Sequence, residues 1–284
     1  MRTCYIALLL LTACGDDAGQ ASGDDAAGSD GGTPVDSAPN AADRSAGCDM
    51  ATTNTPAMFV KRTVLTNRDL WVRTPTNYDP ARAYPVIYQL HGCSDAPTRE
   101  TNNVPVENQV GEDAIVVRAR AAASCWDTSA TGVDVPYVDA MMTDVESAFC
   151  VDTSKRFLAG YSSGSFMTHL LGCIRGDKFK ATVNIAGGQT APNCTGDPAV
   201  LMIHDTNDNT VNISVGIATR DDHIKRNQCA MPATSSPIDP TPCVEYAGCA
   251  AGKRVVWCQT AGHDHDRQDA FAAPLFWSFI QANL

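Results

Sequence analysis

Short apolar runs, each followed by an amphipathic stretch, recur from residue 58 to the end of the chain. Residues 58–65 and 70–72 read as strands separated by Thr66-Asn67-Arg68-Asp69, an edge hairpin. Pro85-Val86-Ile87-Tyr88-Gln89-Leu90 is an unbroken apolar run, as expected of a strand buried on both faces, and it leads into His91-Gly92-Cys93. Residues 114–117, 157–159, 182–185, 200–203 and 255–257 are further strands. Between them, Val138, Met141, Met142, Val145 and Phe149 recur at helical spacing, with Asp134 as the expected N-cap ahead of Pro136. Phe166, Leu170, Leu171 and Ile174 mark a second helix, and Phe271, Leu275, Phe276, Phe279 and Ile280 a closing one. Strands alternating with helices predict an α/β fold, with a mostly parallel sheet covered by helices on both faces. Its functional site belongs at the carboxyl ends of the strands.

The first 47 residues are of another kind. Met1-Arg2 followed by Tyr5-Ile6-Ala7-Leu8-Leu9-Leu10-Leu11 is a positive tip and an apolar run too short to span a bilayer, the pattern of an export signal. It ends in Leu11-Thr12-Ala13-Cys14, which resembles the lipobox of bacterial lipoproteins and implies lipidation of Cys14; an ordinary secretory signal cut nearby is the alternative. Residues 15–46 carry seven Asp, one Arg and almost nothing apolar, too little to bury on folding. The expected organisation is therefore a signal over 1–14, a flexible acidic linker over 15–47 and one folded domain over 48–284. The net charge of −11, without a basic stripe, excludes a nucleic-acid partner. Membrane contact is expected only through the lipid anchor, and the domain is expected to be a monomer.

Of 12 cysteines, ten lie in the predicted domain, an even number in an exported chain. No C-x-x-C pair supports zinc, so five disulfides are expected and no metal. Connectivity does not follow from spacing alone. Cys243 with Cys249, which enclose a short loop, Cys93 with Cys125, and Cys229 with Cys258 are the expected pairs.

The chemistry centres on Gly160-Tyr161-Ser162-Ser163-Gly164, placed where an apolar strand gives way to a helix. In that setting G-x-S-x-G is a nucleophile elbow: the turn leaves Ser162 exposed at the sheet edge, with the Ser163 N–H beside it as an oxyanion donor. A serine hydroxyl needs a base held by a third group. Two later strands run into His204-Asp205-Thr206-Asn207-Asp208-Asn209 and Gly262-His263-Asp264-His265-Asp266. The order Ser162, Asp208, His263 fits a triad, His263 being favoured because it directly follows Gly262; Asp205 and His265 are the competing assignments. A calcium loop at Asp205 fails because Thr210 stands where Gly is required and Gly216 where Glu is required. His169 and His223 fall within helices and are expected to be structural or solvated.

His91-Gly92-Cys93, Cys125-Trp126, the elbow, His204 to Asp208, Cys243-Val244-Glu245-Tyr246-Ala247-Gly248-Cys249 and Gly262-His263 together resemble the polyhydroxybutyrate depolymerase/feruloyl esterase group of exported α/β-hydrolases. The resemblance runs from about Phe59 to the C-terminus. It implies the α/β-hydrolase fold and a cofactor-free ester hydrolase with Ser162 as nucleophile, Asp208 orienting, and His263 as base. It also implies an oxyanion hole from the N–H groups of Cys93 and Ser163. Two residues depart from the group's pattern: Asp205 stands where Gly usually follows the His, and Ser165 where a second Gly often follows the elbow. Within the group, solid polyesters usually call for a separate adsorbing module, and the chain ends four residues after Ile280. The expectation is therefore a feruloyl-esterase-like enzyme acting on phenolic or related esters of plant polysaccharide, with Trp126 either a candidate wall for an aromatic acyl group or a ring packed against its neighbouring disulfide. Polyhydroxybutyrate depolymerase and acetylxylan or short-chain esterase are the alternatives, and a non-catalytic surface protein on a hydrolase scaffold is the reading from another class.

Overall fold

The computed structural model describes residues 40–189, 191 and 193–284. The export signal, the candidate lipidation site Cys14 and most of the acidic linker lie outside the described residues.

Ten strands form one sheet: β1 (Val60–Val64), β2 (Arg68–Arg73), β3 (Tyr84–Leu90), β4 (Ile115–Ala119), β5 (Val151–Tyr161), β6 (Ala181–Ile185), β7 (Ala199–Asp205), β8 (Ser235–Pro237), β9 (Cys243–Tyr246) and β10 (Val255–Thr260). Their order is β1-β2-β4-β3-β5-β6-β7-β10-β9-β8. The six central strands β4, β3, β5, β6, β7 and β10 are parallel, and the pairs at either edge are antiparallel. The helices are α1 (Glu107–Val110), α2 (Asp134–Ala148), α3 (Ser163–Ile174), α4 (Ile213–Arg226) and α5 (Asp269–Gln281). This is the α/β-hydrolase architecture.

Alternation explains why the central strands read as unbroken apolar runs. Along β3 and β5, Ile87, Phe157 and Ala159 join a core completed by Phe276 and Ile280 of α5. Their neighbours Tyr88, Leu90 and Leu158 join the opposite core, with Met141 of α2 and Leu170 of α3. Successive side chains point to opposite faces, so a strand covered on both sides needs apolar residues at every position.

Three sequence expectations are corrected. The folded part begins before residue 48: the Ser45 N–H donates to Val151 O (2.9 Å), and the Val151 N–H donates back to Ser45 Oγ (2.8 Å). A Cβ on Gly47 would sit 2.4 Å from the Phe149 nitrogen, so small residues let this segment lie against the start of β5. Asp134 is no N-cap, since Val133 holds that position. Its buried carboxylate instead accepts the N–H groups of Ala122 and Asp127 and pairs with Arg68.

The third concerns disulfides. All ten domain cysteines are bridged, as Cys48–Cys150, Cys93–Cys125, Cys173–Cys194, Cys229–Cys249 and Cys243–Cys258. The expected Cys243–Cys249 and Cys229–Cys258 pairs exchange partners. Cys243 and Cys258 face each other across the β9–β10 register, so Cys249 is left to meet Cys229 after α4. Such a framework belongs to a chain that folds outside the reducing cytoplasm.

Candidate active site

Ser162 occupies a backbone conformation that L-residues avoid, φ 52° and ψ −118°, between the end of β5 and the start of α3. Its own N–H donates to Ile185 O (2.9 Å), tying the turn to β6. The two glycines of the motif are steric necessities. A Cβ on Gly160 would lie 2.1 Å from Gly164 O, and one on Gly164 would lie 1.9 Å from Leu90 O. The elbow thus folds tightly on itself while the first turn of α3 presses on the end of β3.

The side chain that reaches Ser162 is His265. Its Nε2 lies 2.9 Å from Ser162 Oγ, and its Nδ1 lies 2.8 Å from Asp208 Oδ2. With Nδ1–H donating to the carboxylate, Nε2 is free to accept the serine proton. The other Asp208 oxygen, Oδ1, accepts the N–H groups of Thr210 (2.9 Å) and Val211 (2.7 Å). His204 Nε2 shares its proton between Val211 O (2.8 Å) and Asp208 Oδ2 (3.3 Å), so it too braces the acid.

This corrects the placement expected for His263. Its side chain is exposed and makes no hydrogen bond among the described residues; its backbone N–H donates to Asp205 Oδ2 (3.0 Å). The reason is distance across the sheet. β10 is three strands from β5, roughly 14 Å at ~4.8 Å per strand, so the base loop must travel before it turns back over the serine. Gly262 and Asp264, both at positive φ, make that turn and deliver the second histidine.

Asp205, the competing assignment for the acid, and its neighbours hold the base loop to the acid loop. Asn207 Oδ1 accepts the Gly262 N–H (3.1 Å), Asp205 accepts the His263 N–H, and Asp264 accepts the Asn209 N–H (3.0 Å). Burial opposes the charge on Asp205, but the N–H groups of Asn207 and His263 outweigh it and hold the carboxyl below its usual range. Asp205 replaces the group's usual Gly and gains a structural task. Tyr161, beside the nucleophile, adds a further tie: its hydroxyl donates to His265 O (2.8 Å). Burial, with the Asp266 carboxylate, pushes the Tyr161 phenol up to about 12, so it stays a donor.

The Cys93 loop lies alongside. The N–H groups of Cys93 and Ser163 donate to no acceptor among the described residues. Cys93 is bridged to Cys125, and the Ser94 N–H donates to Ser124 O (2.9 Å). Beneath it, His91 accepts the Ala121 N–H at Nε2 (3.1 Å) and so donates from Nδ1 to Gly92 O (2.6 Å).

Trp126 is corrected from substrate wall to brace. It is 5% exposed. Its indole N–H donates to His91 O (2.9 Å), its backbone N–H donates to Ser163 Oγ (2.9 Å), and its ring stacks on Tyr137. It therefore joins the Cys93 loop to the elbow helix, and its ring is spent on the protein interior. His169 and His223 are buried 3.3 Å apart between α3 and α4, and burial lowers both pKa values, His169 to about 3.

Comparison with known proteins follows the same line. No family model matches the chain. It is 30% identical over 256 residues to feruloyl esterase D of Neurospora crassa, spanning 79% of this chain and 87% of that protein. It is 28% identical to a probable feruloyl esterase C of Aspergillus niger, spanning 77% and 85% respectively. Among solved structures it resembles the acetyl xylan esterase from Aspergillus awamori, with a TM-score of 0.61 and 16% identity over 78% of this chain and 99% of that one, a likeness of fold.

Proposed function

The chain belongs to the feruloyl esterase family of carboxylic ester hydrolases, and from that premise we propose that it is a serine esterase releasing phenolic acyl groups from plant polysaccharide. The observation that carries the mechanism is the unbroken chain Ser162–His265–Asp208. Ser162 Oγ attacks the ester carbonyl while its proton passes to His265 Nε2. Asp208 stabilises the imidazolium. The tetrahedral oxyanion is held by the N–H groups of Cys93 and Ser163, each such donor being worth roughly 3–4 kcal/mol in the transition state. As the intermediate collapses, His265 gives its proton to the leaving alcohol oxygen, and an acyl-Ser162 ester remains. A water deprotonated by His265 then releases the acid and restores the serine.

Family membership at 30% identity supports the phenolic acyl group. The test compares methyl ferulate, an aryl acetate and clearing of a polyester film. Ferulate release, abolished in Ser162→Ala, is the expected result; film clearing without ferulate release overturns the reading. The Leu11-Thr12-Ala13-Cys14 sequence supports a finer localisation, with the exported enzyme held at the cell envelope by lipid on Cys14. Detergent partitioning that is the same for wild type and Cys14→Ser would refute it.

A further inference from the structure

On the carboxyl edge of the sheet, beside the Cys93 loop, lies a cavity of about 390 Å³ lined by Asn67, Arg68, Asp69, Arg99, Arg120 and Ala121. Arg120 directly follows β4, and Arg68 opens β2 beyond the Leu70–Ala119 pairing, so both stand at the same end of the sheet as Ser162. Arg99 comes from the loop that follows Cys93. β4, β3 and β5 are successive neighbours, so Ser162 lies two strand spacings away, roughly 10 Å across the sheet top.

The charges do not cancel. Arg68 is paired with Asp134, Arg120 with Glu100, and Asp69 with Lys61. Arg99 makes no side-chain hydrogen bond or ion pair among the described residues, and its Nε is buried without a partner. One positive charge is left over at a lined cavity, carried by the side chain whose planar fork matches a carboxylate. Its field reaches the neighbouring loop: His91 is held below its ordinary pKa first by burial and further by Arg99 and Arg120.

We propose that this cavity is a subsite for a carboxylate carried by the alcohol part of the substrate, a short distance along the saccharide from the scissile ester. The enzyme would then prefer uronate-bearing fragments over neutral ones. The proposal rests on the polysaccharide-ester reading above and narrows it. The Arg99 guanidinium takes the carboxylate, while Arg68 and Arg120 keep their own partners and shape the walls.

The test uses two oligosaccharides that differ only in one uronate, each supplied as ferulate and as acetate ester. Wild-type enzyme is expected to show a KM about 10-fold lower for the acidic member, the worth of one charge-assisted contact. Salt at about 0.5 M should narrow that ratio by screening. In Arg99→Gln the ratio is expected to collapse towards 1, while Arg99→Lys keeps a preference of about threefold through the point charge alone. Calorimetric titration with the ester-free pair reads the same ratio as Kd, whether or not an ester is turned over. Failure of the ferulates alone strikes the acyl reading. Equal KM and Kd for the acidic and neutral members, or a ratio unmoved by Arg99→Gln, overturns the subsite.

Discussion

His265→Ala is expected to lower kcat by roughly 10⁴–10⁶-fold, close to the loss from Ser162→Ala, because members of such a unit fail together. The imidazole is the acceptor for the Ser162 proton and the donor to Asp208, and among the described residues no other side chain bonds both. His263→Ala is expected to stay within about threefold of wild type. Its exposed ring makes no hydrogen bond among the described residues, and the N–H that holds the loop to Asp205 belongs to the backbone and survives the change. Turnover of an aryl acetate, together with labelling by a serine-directed phosphonate, reads both variants. A large loss in His263→Ala with activity retained in His265→Ala would reverse the assignment.

The two histidines show where legibility ended. Gly160, Gly164 and the apolar run before them announce the elbow because one backbone conformation demands those residues, and local demands are written locally. The base is set by a non-local condition. The loop after β10 must cross three strands and be pinned by side chains of the loop after β7, so its register depends on contacts about 55 residues apart, such as Asn209 with Asp264. A signal was present: an Asp in place of Gly at 205 is an acceptor in search of a backbone donor, and His263 N–H is that donor.

Strand β9 makes the same point for the cysteines. Ser235–Pro237 is exposed throughout and Cys243–Tyr246 is half-buried beyond Cys243; both are short, with no apolar run to mark them. Without them, the sequence offers no reason to place Cys243 opposite Cys258. The closeness of Cys243 and Cys249 along the chain then suggests a pair that the antiparallel register forbids. Trp126 misleads in the opposite sense. An aromatic next to a disulfide near a catalytic loop suits a ligand wall, yet its polar handle is claimed by His91 O and its face by Tyr137.

Asp208→Asn is expected to lower kcat by ~10⁴-fold while the protein stays folded. The size of the loss follows from which oxygen the amide can mimic. Asp208 Oδ1 already accepts two backbone N–H groups, from Thr210 and Val211, and only the amide oxygen can replace it there. The NH₂ must then take the place of Oδ2, facing His265 Nδ1 at 2.8 Å. Two N–H donors would oppose each other, so the imidazole adopts the tautomer with the proton on Nε2. That nitrogen can no longer accept from Ser162 Oγ. The same NH₂ meets the His204 Nε2 proton, which loses its second acceptor. Asp205→Asn differs in kind. Its amide would turn a donor toward either Asn207 N–H or His263 N–H, which loosens the base loop but leaves the imidazole tautomer alone. A loss of about tenfold is expected there, consistent with one weakened hydrogen bond. Steady-state kcat for the two variants, with thermal unfolding as a check on the fold, separates the roles. An Asp208→Asn enzyme within tenfold of wild type, beside an inactive Asp205→Asn enzyme, would transfer the orienting role to Asp205.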